Sequence, residues 1–388
     1  MAPRALDERG NPDEFSLLGG PLHRLGRRLG LVRGRTNTVA LGVALGLLAW
    51  SVLVLLALIE GVAGQLFSLS VIGGHVRLLV VIPLFFLCES LLDPRARVFV
   101  QVIVRAQVVP DTEVPRLNAE TKRIGRWRDS WLPEAVCLLA AVLMSLDASH
   151  LSLPGTTAAY DPNRAGGAAL WYWMVCLPLF RFLAFRWLWR LLLWWYFLWR
   201  IARLELTLVP THPDGVGGLG YLEVVHAEFA TLIAAISAAA SAAFAENIVA
   251  GTTPPTALYP VLVLMLVIYA AVFLGPLCIF SPKLWLCRVT GLDKYMDLAS
   301  RYVIAFDRKW LGAGDARREE LLGTSDIQSL ADLSTSVGIV TDMRLIPGSW
   351  RLVLMLTAAA LLPLLPLLLL QYPVAQLADK LFTMMFGL

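Results

Sequence analysis

The chain has 388 residues, of which 57% are hydrophobic and 16% are charged, and its mean hydropathy is +0.67. So few charged residues cannot cover the surface of a soluble protein of this length, so the composition excludes that class and predicts a protein that lies in a lipid bilayer. The formal net charge of +4 is small, and the basic residues form no nucleic-acid-binding motif, so we expect no nucleic-acid partner.

Seven apolar runs predict an all-α membrane protein with about seven transmembrane helices, because such runs can cross a hydrocarbon layer of roughly 30 Å. They lie at roughly 38–59, 77–93, 132–147, 169–195, 226–249, 257–280 and 352–371. Of the 33 Lys and Arg residues, seven precede the first run, eight lie in 94–131 and ten lie in 281–351. The alternation of basic and non-basic connections predicts a cytoplasmic N-terminus and an external C-terminus.

The connections divide the chain into four parts. Residues 1–37 form a basic cytoplasmic segment, which we expect to lie along the inner leaflet, where anionic phospholipids attract arginine. Residues 38–280 form a membrane bundle of six spans, with amphipathic cytoplasmic helices in 94–131. Residues 281–351 form a cytoplasmic helical segment, and 352–388 hold a proline-kinked last span and an external amphipathic tail.

Charged residues inside the apolar runs are the first candidates for function, because a charge in the bilayer is costly unless something compensates it. The second run contains Glu89, and the fourth contains Arg181, Arg186 and Arg190. Glu89 lies at a depth that predicts a pair with Arg186 or Arg190. Such a pair could be structural and determine the register of the helices, or it could form part of a pathway for an anionic solute.

The fifth run is rich in small residues, which suit either close packing at the centre of a bundle or the lining of a narrow pore. Ser237 and Ser241 add polar groups to this helix, and Glu246 lies at its membrane border. These three residues join the four charged ones as candidates for a solute or ion pathway.

A glycine-rich turn, THPDGVGGLG, follows the fourth run. Its backbone N–H groups could bind an anion at the start of the next helix. The residues of this candidate anion-binding turn are Thr211, His212, Asp214, Gly215, Gly217 and Gly218. The alternative is a tight interhelical turn in which Asp214 or Thr211 accepts those hydrogen bonds itself.

Four residues near this turn carry the ligand types of a metal site: His212, Asp214, Glu223 and His226. Glu223 and His226 share a helical face, as in half of a di-iron carboxylate site. The second half is missing, so we expect no metal and no other cofactor. A hydrolase that used His212 and Asp214 would lack a nucleophile, so no catalytic residue is predicted.

The motifs THPDGVGGLG and SDIQSLADL, with the proline-containing last run, resemble those of a family of uncharacterised bacterial multi-pass inner-membrane proteins. The resemblance extends over roughly 200–370. It implies a location in the bacterial inner membrane and assigns no functional residues.

The residues themselves favour a homo-oligomeric channel or transporter for a small anionic solute, since arginines at bilayer depth provide the required field. Two other classes stay open. One is a membrane-embedded enzyme or lipid-binding protein that recognises a phosphorylated headgroup at the glycine turn. The other is a structural or accessory subunit of a membrane complex.

Overall fold

The computed structural model describes residues 15–28, 30, 38–145, 166–252, 254, 258–311 and 325–367. All regular elements in these ranges are helices, as the sequence predicts. The α-helices are α1 Pro21–Arg28, α2 Val39–Ile59, α3 Ala63–Leu66, α4 Ile72–Val76, α5 Ile82–Arg105, α6 Val114–Asp129, α7 Trp131–Leu143, α8 Gly167–Trp171, α9 Leu177–Ala202, α10 Tyr221–Ala227, α11 Phe229–Val249, α12 Leu258–Tyr269, α13 Ser281–Trp310, α14 Ser325–Thr341 and α15 Trp350–Leu361. Short π-helical turns at Arg77–Val81, Tyr172–Cys176 and Ala270–Leu274 continue α4, α8 and α12.

Six helical stretches in the described ranges are long and apolar enough to cross a membrane: Val39–Ile59, Ile72–Arg105, Gly167–Ala202, Tyr221–Val249, Tyr259–Trp310 and Trp350–Leu367. The span predicted at 132–147 is not confirmed. Helix α7 has 13 residues, and at 1.5 Å per residue it covers about 20 Å, which is less than the roughly 30 Å hydrocarbon layer. The orientation of the two termini stays a prediction, because it depended on the number of spans.

Helix α2 packs closely against α5 and the turn before it. A Cβ on Gly42 would lie 2.6 Å from the Phe86 side chain, and a Cβ on Gly46 would lie 2.2 Å from the Leu78 carbonyl oxygen. Only glycine leaves room for this approach, so these two glycines have a packing role.

Helix α5 continues past the point where we expected a separate amphipathic helix to begin. It contains Pro94 and ends at Arg105. Its buried face extends from Glu89 through Phe99 to Ile103, so packing on both sides of the proline holds one continuous helix. Helix α6 does form the amphipathic helix that the sequence predicts.

Helix α9 contributes an extensive buried face to the core. Its buried residues recur every three or four positions, which defines one inward face: Arg186, Trp187, Arg190, Leu191, Trp194, Phe197, Leu198 and Ile201. Because the two arginines belong to this stripe, the helix directs both of them into the interior. Helix α7 packs beside this region of α9.

Residues 15–28 insert into the bundle, which differs from the surface position expected for 1–37. The Phe15 ring stacks on Phe197 with 4.2 Å between ring centroids, and Leu17 is buried. The apolar residues at the start of the segment account for this position, because Phe15, Leu17 and Leu18 are all buried. We name residues 15–28 the cover segment.

Helices α13 and α14 pack together as an antiparallel hairpin. Lys309 Nζ lies 2.9 Å from Asp326 Oδ2, and the Tyr302 hydroxyl donates to the Asp326 carbonyl oxygen at 3.1 Å. Helix α14 ends at Thr341. The external tail expected after the last span lies outside the described residues.

Candidate functional site

Two arginines and two glutamates meet between α5, α7 and α9. Arg186 Nη1 donates to Glu89 Oε1 at 2.8 Å, and Arg186 Nε donates to Glu134 Oε1 at 3.3 Å. Arg190 Nη1 forms an ion pair with the same Glu89 oxygen. The predicted pairing of Glu89 with these arginines is confirmed. We name Glu89, Glu134, Arg186 and Arg190 the Glu89 cluster.

The cluster is buried and balanced in charge, but its hydrogen bonding is incomplete. Glu89 and Arg186 are each 3% exposed and Arg190 is 5% exposed. Glu89 Oε2 and Arg190 Nη2 have no hydrogen-bond partner among the described residues. A buried guanidinium N–H without an acceptor is costly. Arg190 Nη2 is therefore suited to donate a hydrogen bond to one oxygen of a small anion or to a halide.

The cover segment is held over the cluster by Asp93, a buried residue of α5. Asp93 Oδ1 accepts hydrogen bonds from the Leu17 and Leu18 backbone N–H groups at 2.7 and 3.1 Å. It also accepts one from the Ser16 hydroxyl at 2.7 Å. Its other oxygen pairs with Arg97 at 2.6 Å. One carboxylate therefore fastens three consecutive residues of the segment to α5.

Two glycines bring the cover segment against the cluster itself. Arg186 Nη2 donates to the Gly19 carbonyl oxygen at 3.3 Å. Gly20 has a φ of +90°, and a Cβ there would lie 2.1 Å from Glu134 Oε1. The Leu22 N–H donates to Glu134 Oε2 at 3.3 Å. The segment thus satisfies hydrogen-bonding groups of the cluster with its own backbone.

His23 faces the cluster from α1. It is 4% exposed, and its Nδ1 has no hydrogen-bond partner among the described residues. Burial lowers the pKa of His23 below its ordinary value; nearby Glu89 acts in the opposite direction, while Arg27, Arg186 and Arg190 add to the lowering. The imidazole is therefore favoured in its neutral form.

The other predicted pathway residues lie apart from this cluster. Arg181 Nη1 donates to the Met144 carbonyl oxygen at 2.6 Å and to the Ser145 hydroxyl at 2.8 Å. The Ser237 hydroxyl donates to the Tyr269 hydroxyl at 3.1 Å. Ser241 is buried on α11. The structure does not join these three residues to the Glu89 cluster.

Glu246 belongs to a second polar group at the far end of α11. Its Oε1 accepts a hydrogen bond from the Gly73 N–H at 2.7 Å, and its Oε2 lies 3.7 Å from Arg77 Nη2. Arg77 Nη1 donates to the Tyr172 hydroxyl at 2.5 Å. Arg77 and Glu89 are 12 positions apart in the chain, so at 1.5 Å per residue the two polar groups are roughly 18 Å apart along α4 and α5.

The glycine turn closes on its own carboxylate. Asp214 accepts hydrogen bonds from the N–H groups of Val216 at 2.9 Å, Gly218 at 3.0 Å and Gly220 at 2.8 Å. Gly217 and Gly218 have φ of +67° and +99°, a region that glycine adopts without strain. This is the tight-turn alternative of the sequence analysis. In this conformation Asp214 occupies the donors that an external anion would need.

The remaining turn residues bind neighbouring elements. The Thr211 and Tyr295 hydroxyls lie 3.4 Å apart, and His212 Nδ1 lies 2.8 Å from Asp214 Oδ1. Gly215 accepts at its carbonyl oxygen a hydrogen bond of 2.8 Å from the Arg344 N–H. Arg344 comes from the connection between α14 and α15, so the turn also fastens those helices.

The weak metal candidates do not converge. Glu223 pairs with Arg344 at 3.3 Å. His226 accepts a hydrogen bond from Trp194 Nε1 at 3.3 Å, and its Nδ1 lies 2.7 Å from the Phe273 carbonyl oxygen. Within the ranges that the structure describes, no three His, Cys, Asp or Glu side chains come together as a metal site.

Sequence reasoning missed three residues that build the candidate site: Glu134, Asp93 and His23. Glu134 lies in the first turn of α7, one helical turn from the start of a predicted span, and its charge was a usable signal. Asp93 precedes Arg97 by four residues, which is a helical ion-pair spacing. Nothing in the sequence around His23 indicates burial.

Six membrane-length helices around a buried charge cluster define the class of the protein: it is an all-helical, multi-pass membrane protein. No protein-family model, curated protein or solved structure matches the chain. Its function must therefore be inferred from its own residues and their geometry.

Proposed function

We propose that the protein moves a small inorganic or organic anion across the bacterial inner membrane, and that Arg186 and Arg190 bind this anion. Glu89 is the internal counter-ion that the solute displaces. The unpartnered Arg190 Nη2 carries the proposal, because it is a buried cationic donor aimed at a place where no protein acceptor lies among the described residues.

The sharing of one carboxylate supports an exchange of anions at this point. Both arginines contact Glu89 Oε1, whereas Glu89 Oε2 has no partner in the described part of the chain. A solute with two acceptor atoms would satisfy both guanidinium groups better than one shared oxygen does, since bidentate recognition is the strength of arginine. Breaking the ion pair between Glu89 and one arginine therefore costs little free energy when the solute takes the place of the carboxylate.

A second polar group lies where such a solute would leave or enter. Arg77 lies just before the start of α5 and has Glu246 as its counter-ion. The proposed route thus has cations at two positions, each compensated by a glutamate on another helix: Glu246 of α11 at one, and Glu89 of α5 at the other. Three further residues remain proposed contributors to the route, although each lies apart from the Glu89 cluster: Arg181, Ser237 and Ser241.

The test is anion efflux from proteoliposomes loaded with chloride, nitrate or phosphate. Arg190→Gln is expected to reduce efflux of the transported anion by about tenfold or more, since a charged hydrogen bond contributes about 1.5–3 kcal/mol. Arg190→Lys keeps the charge but lacks the planar fork, so its efflux should be intermediate. Arg95→Gln is the matched control, because Arg95 pairs with Glu228 at 3.3 Å and its side chain is 52% exposed.

Each variant must first elute as a folded species by size-exclusion chromatography with an unchanged circular dichroism spectrum. Equal efflux from folded native protein and Arg190→Gln would overturn the assignment of the arginines. Efflux of all three anions that never exceeds that of protein-free vesicles would count against transport of small anions.

One observation favours a second candidate function, the binding of an anionic phospholipid. A crevice of about 510 Å³ lies between α13 and the chain after α9, with apolar walls that include Leu206 and Leu286 and with Lys283 and Lys294 among its residues. The acyl chain of a phospholipid would suit the apolar walls, and its phosphate would suit the lysines. Native mass spectrometry should then show retained phosphatidylglycerol that Lys294→Gln loses; equal retention by both proteins would exclude this site.

A homo-oligomer is part of the same proposal. Helix α12 exposes an apolar face that includes Val263, Leu264 and Val267, and we propose that a second copy of the chain packs against this face in place of lipid. Mass photometry in mild detergent should give a multiple of the 42.7 kDa chain. A single species of monomer mass would contradict it.

A further inference from the structure

The cover segment is layered between the Glu89 cluster and the outside of the bundle. In α1, His23 and Gly26 are buried, whereas Arg24, Arg27 and Arg28 are exposed. The helix therefore has an inner face directed at the cluster and a charged outer face. Any solute that approaches the cluster from this side meets the segment first.

Near the cluster, hydrogen bonds rather than apolar contacts hold the cover segment in place. Asp93 holds its start, and Glu134 and Arg186 hold Leu22 and Gly19 at 3.3 Å each. These contacts use backbone groups that water can satisfy equally well when the segment is out. The segment can therefore detach from the bundle without leaving its own backbone N–H groups unsatisfied.

His23 is a titratable group of the inner face of α1, and the ordinary pKa of histidine lies near neutral pH. Four charged groups act on its pKa: Arg27 of α1, Glu89 of α5, and Arg186 and Arg190 of α9. Glu134 of α7 and Asp129 of α6 contact the same segment at Leu22 and Gly20. Both nearby carboxylates of the cluster are already paired with arginine. An added positive charge on His23 would face Arg27, Arg186 and Arg190, and the nearby Glu89 carboxylate is already shared by both arginines of the cluster.

We propose that the cover segment is a detachable cover for the Glu89 cluster, and that protonation of His23 releases it. The inference that the covered cluster binds an anion rests on the proposed function; the release of the segment does not. Acidification on the side of the segment would open access to Arg186 and Arg190.

The direction of the effect follows from the two states of His23. Burial lowers its pKa in the closed state, whereas in the released segment it returns to about 6.5. Above about pH 6.5 the imidazole is neutral in both states, so closure is at full strength. As pH falls below that value the open state binds a proton more readily than the closed state, so closure weakens until the lowered pKa is also passed.

Hydrogen exchange measured by mass spectrometry on the full-length protein in nanodiscs tests the release without a known solute. The amides of Leu17, Leu18 and Leu22 donate to the carboxylates of Asp93 and Glu134, so they are protected only while the segment is closed. Rates at about pH 7.5 and about pH 5.5, corrected for the intrinsic rate, give the opening equilibrium on both sides of the ordinary histidine pKa. We expect opening to increase in the native protein by up to about tenfold, which is the limit for an imidazole with an ordinary pKa of about 6.5 in the open state.

His23→Gln keeps a neutral polar side chain of similar size, so its opening equilibrium should not change between these two pH values. His75→Gln is the matched control: His75 is bonded to Trp50 at 2.8 Å at the other end of the bundle, and its replacement should leave the native pH dependence. Opening that is independent of pH in the native protein would overturn the proposal. An equal pH dependence in His23→Gln would assign the effect to a group other than His23 and would also overturn the proposal. An absence of anion efflux would refute the transport role and leave these exchange results unaffected.

Discussion

Arg186 and Glu89 are 97 positions apart in the chain, yet Arg186 Nη1 and Glu89 Oε1 meet at 2.8 Å inside the bundle. Their side chains are only 4% and 2% exposed. At such burial each charge depends on the other, because water cannot replace a lost partner. The contact therefore joins α5 to α9, and replacement of either residue should lower the stability of the protein.

Glu89→Gln should destabilise the protein by about 3–5 kcal/mol, the usual effect of removing one partner from a buried ion pair. The loss has one physical cause: Arg186 keeps Glu134 as a partner, but Arg190 is left without a carboxylate. Denaturant unfolding in a fixed mixed-micelle composition measures the change. Glu228→Gln is the control, because the Arg95 partner is half-exposed, and its cost should be below about 1 kcal/mol. Equal losses for the two variants would contradict the expected dependence on burial.

The Glu89 pairing could be predicted from the sequence because the cost of an isolated charge in a membrane leaves few arrangements. The inward face of α9 follows from the same reasoning. The insertion of residues 15–28 could not be predicted, because a basic, glycine-containing stretch suits the headgroup layer equally well. Its position depends on Asp93 and Phe197, which are distant in the chain, and no local pattern in the segment specifies such partners.

The glycine turn illustrates a second limit. Its donors could be recognised from four glycines, but the identity of the anion could not, since an internal Asp214 and an external phosphate satisfy the same N–H groups. The number of spans could not be predicted for a different reason. A run such as 132–147 has the hydropathy of a span, and only the observed end of α7 shows that its helix is too short.

Asp214→Ala should open the glycine turn and create a place for an external anion. The substitution leaves the N–H groups of Val216, Gly218 and Gly220 without their acceptor, which costs about 1–3 kcal/mol for buried donors. Sulfate or phosphate should restore part of this stability in the variant and have little effect on the native protein. Thermal unfolding across a series of sulfate and chloride concentrations at equal ionic strength measures it. The same response to both salts would point to general screening and contradict specific binding.

Gly73→Ala should separate α4 from the end of α11. A Cβ at Gly73 would lie 2.6 Å from both Glu246 carboxylate oxygens, so the carboxylate must move and lose the 2.7 Å bond to the Gly73 N–H. The expected loss of stability is about 1–3 kcal/mol. Gly64→Ala is the matched control, because nothing lies within 4 Å of a Cβ there. Equal stability of the two variants would mean that the carboxylate relocates without cost.

The α13–α14 hairpin should keep its contact as the pH falls from neutral to mildly acidic. Hydrogen bonds from Lys309 and Trp310 hold the pKa of Asp326 below its ordinary value. A carboxylate with a lowered pKa contributes fully above its ordinary value of about 3.9 and loses that contribution as the pH falls through the lowered one. Exchange of the 302–311 amides should thus be unchanged down to about pH 5 after correction, whereas Asp326→Asn should increase it at every pH. Protection that falls between about pH 7 and 5 would show that another group controls the hairpin.

Asp93→Asn should release the cover segment without any change of pH. Asp93 is 1% exposed and accepts the Leu17 and Leu18 N–H groups at one oxygen, so an amide in its place loses the charge that strengthens these bonds. Exchange of the residue 15–28 amides should then be fast even at about pH 7.5, where His23 is neutral. Ser16→Ala removes one hydroxyl bond from the same carboxylate and should have a smaller effect of the same sign. Native-like protection in Asp93→Asn would mean that the Phe15 stack and the contacts of Glu134 and Arg186 retain the segment, and Asp93 would then have no role in closure.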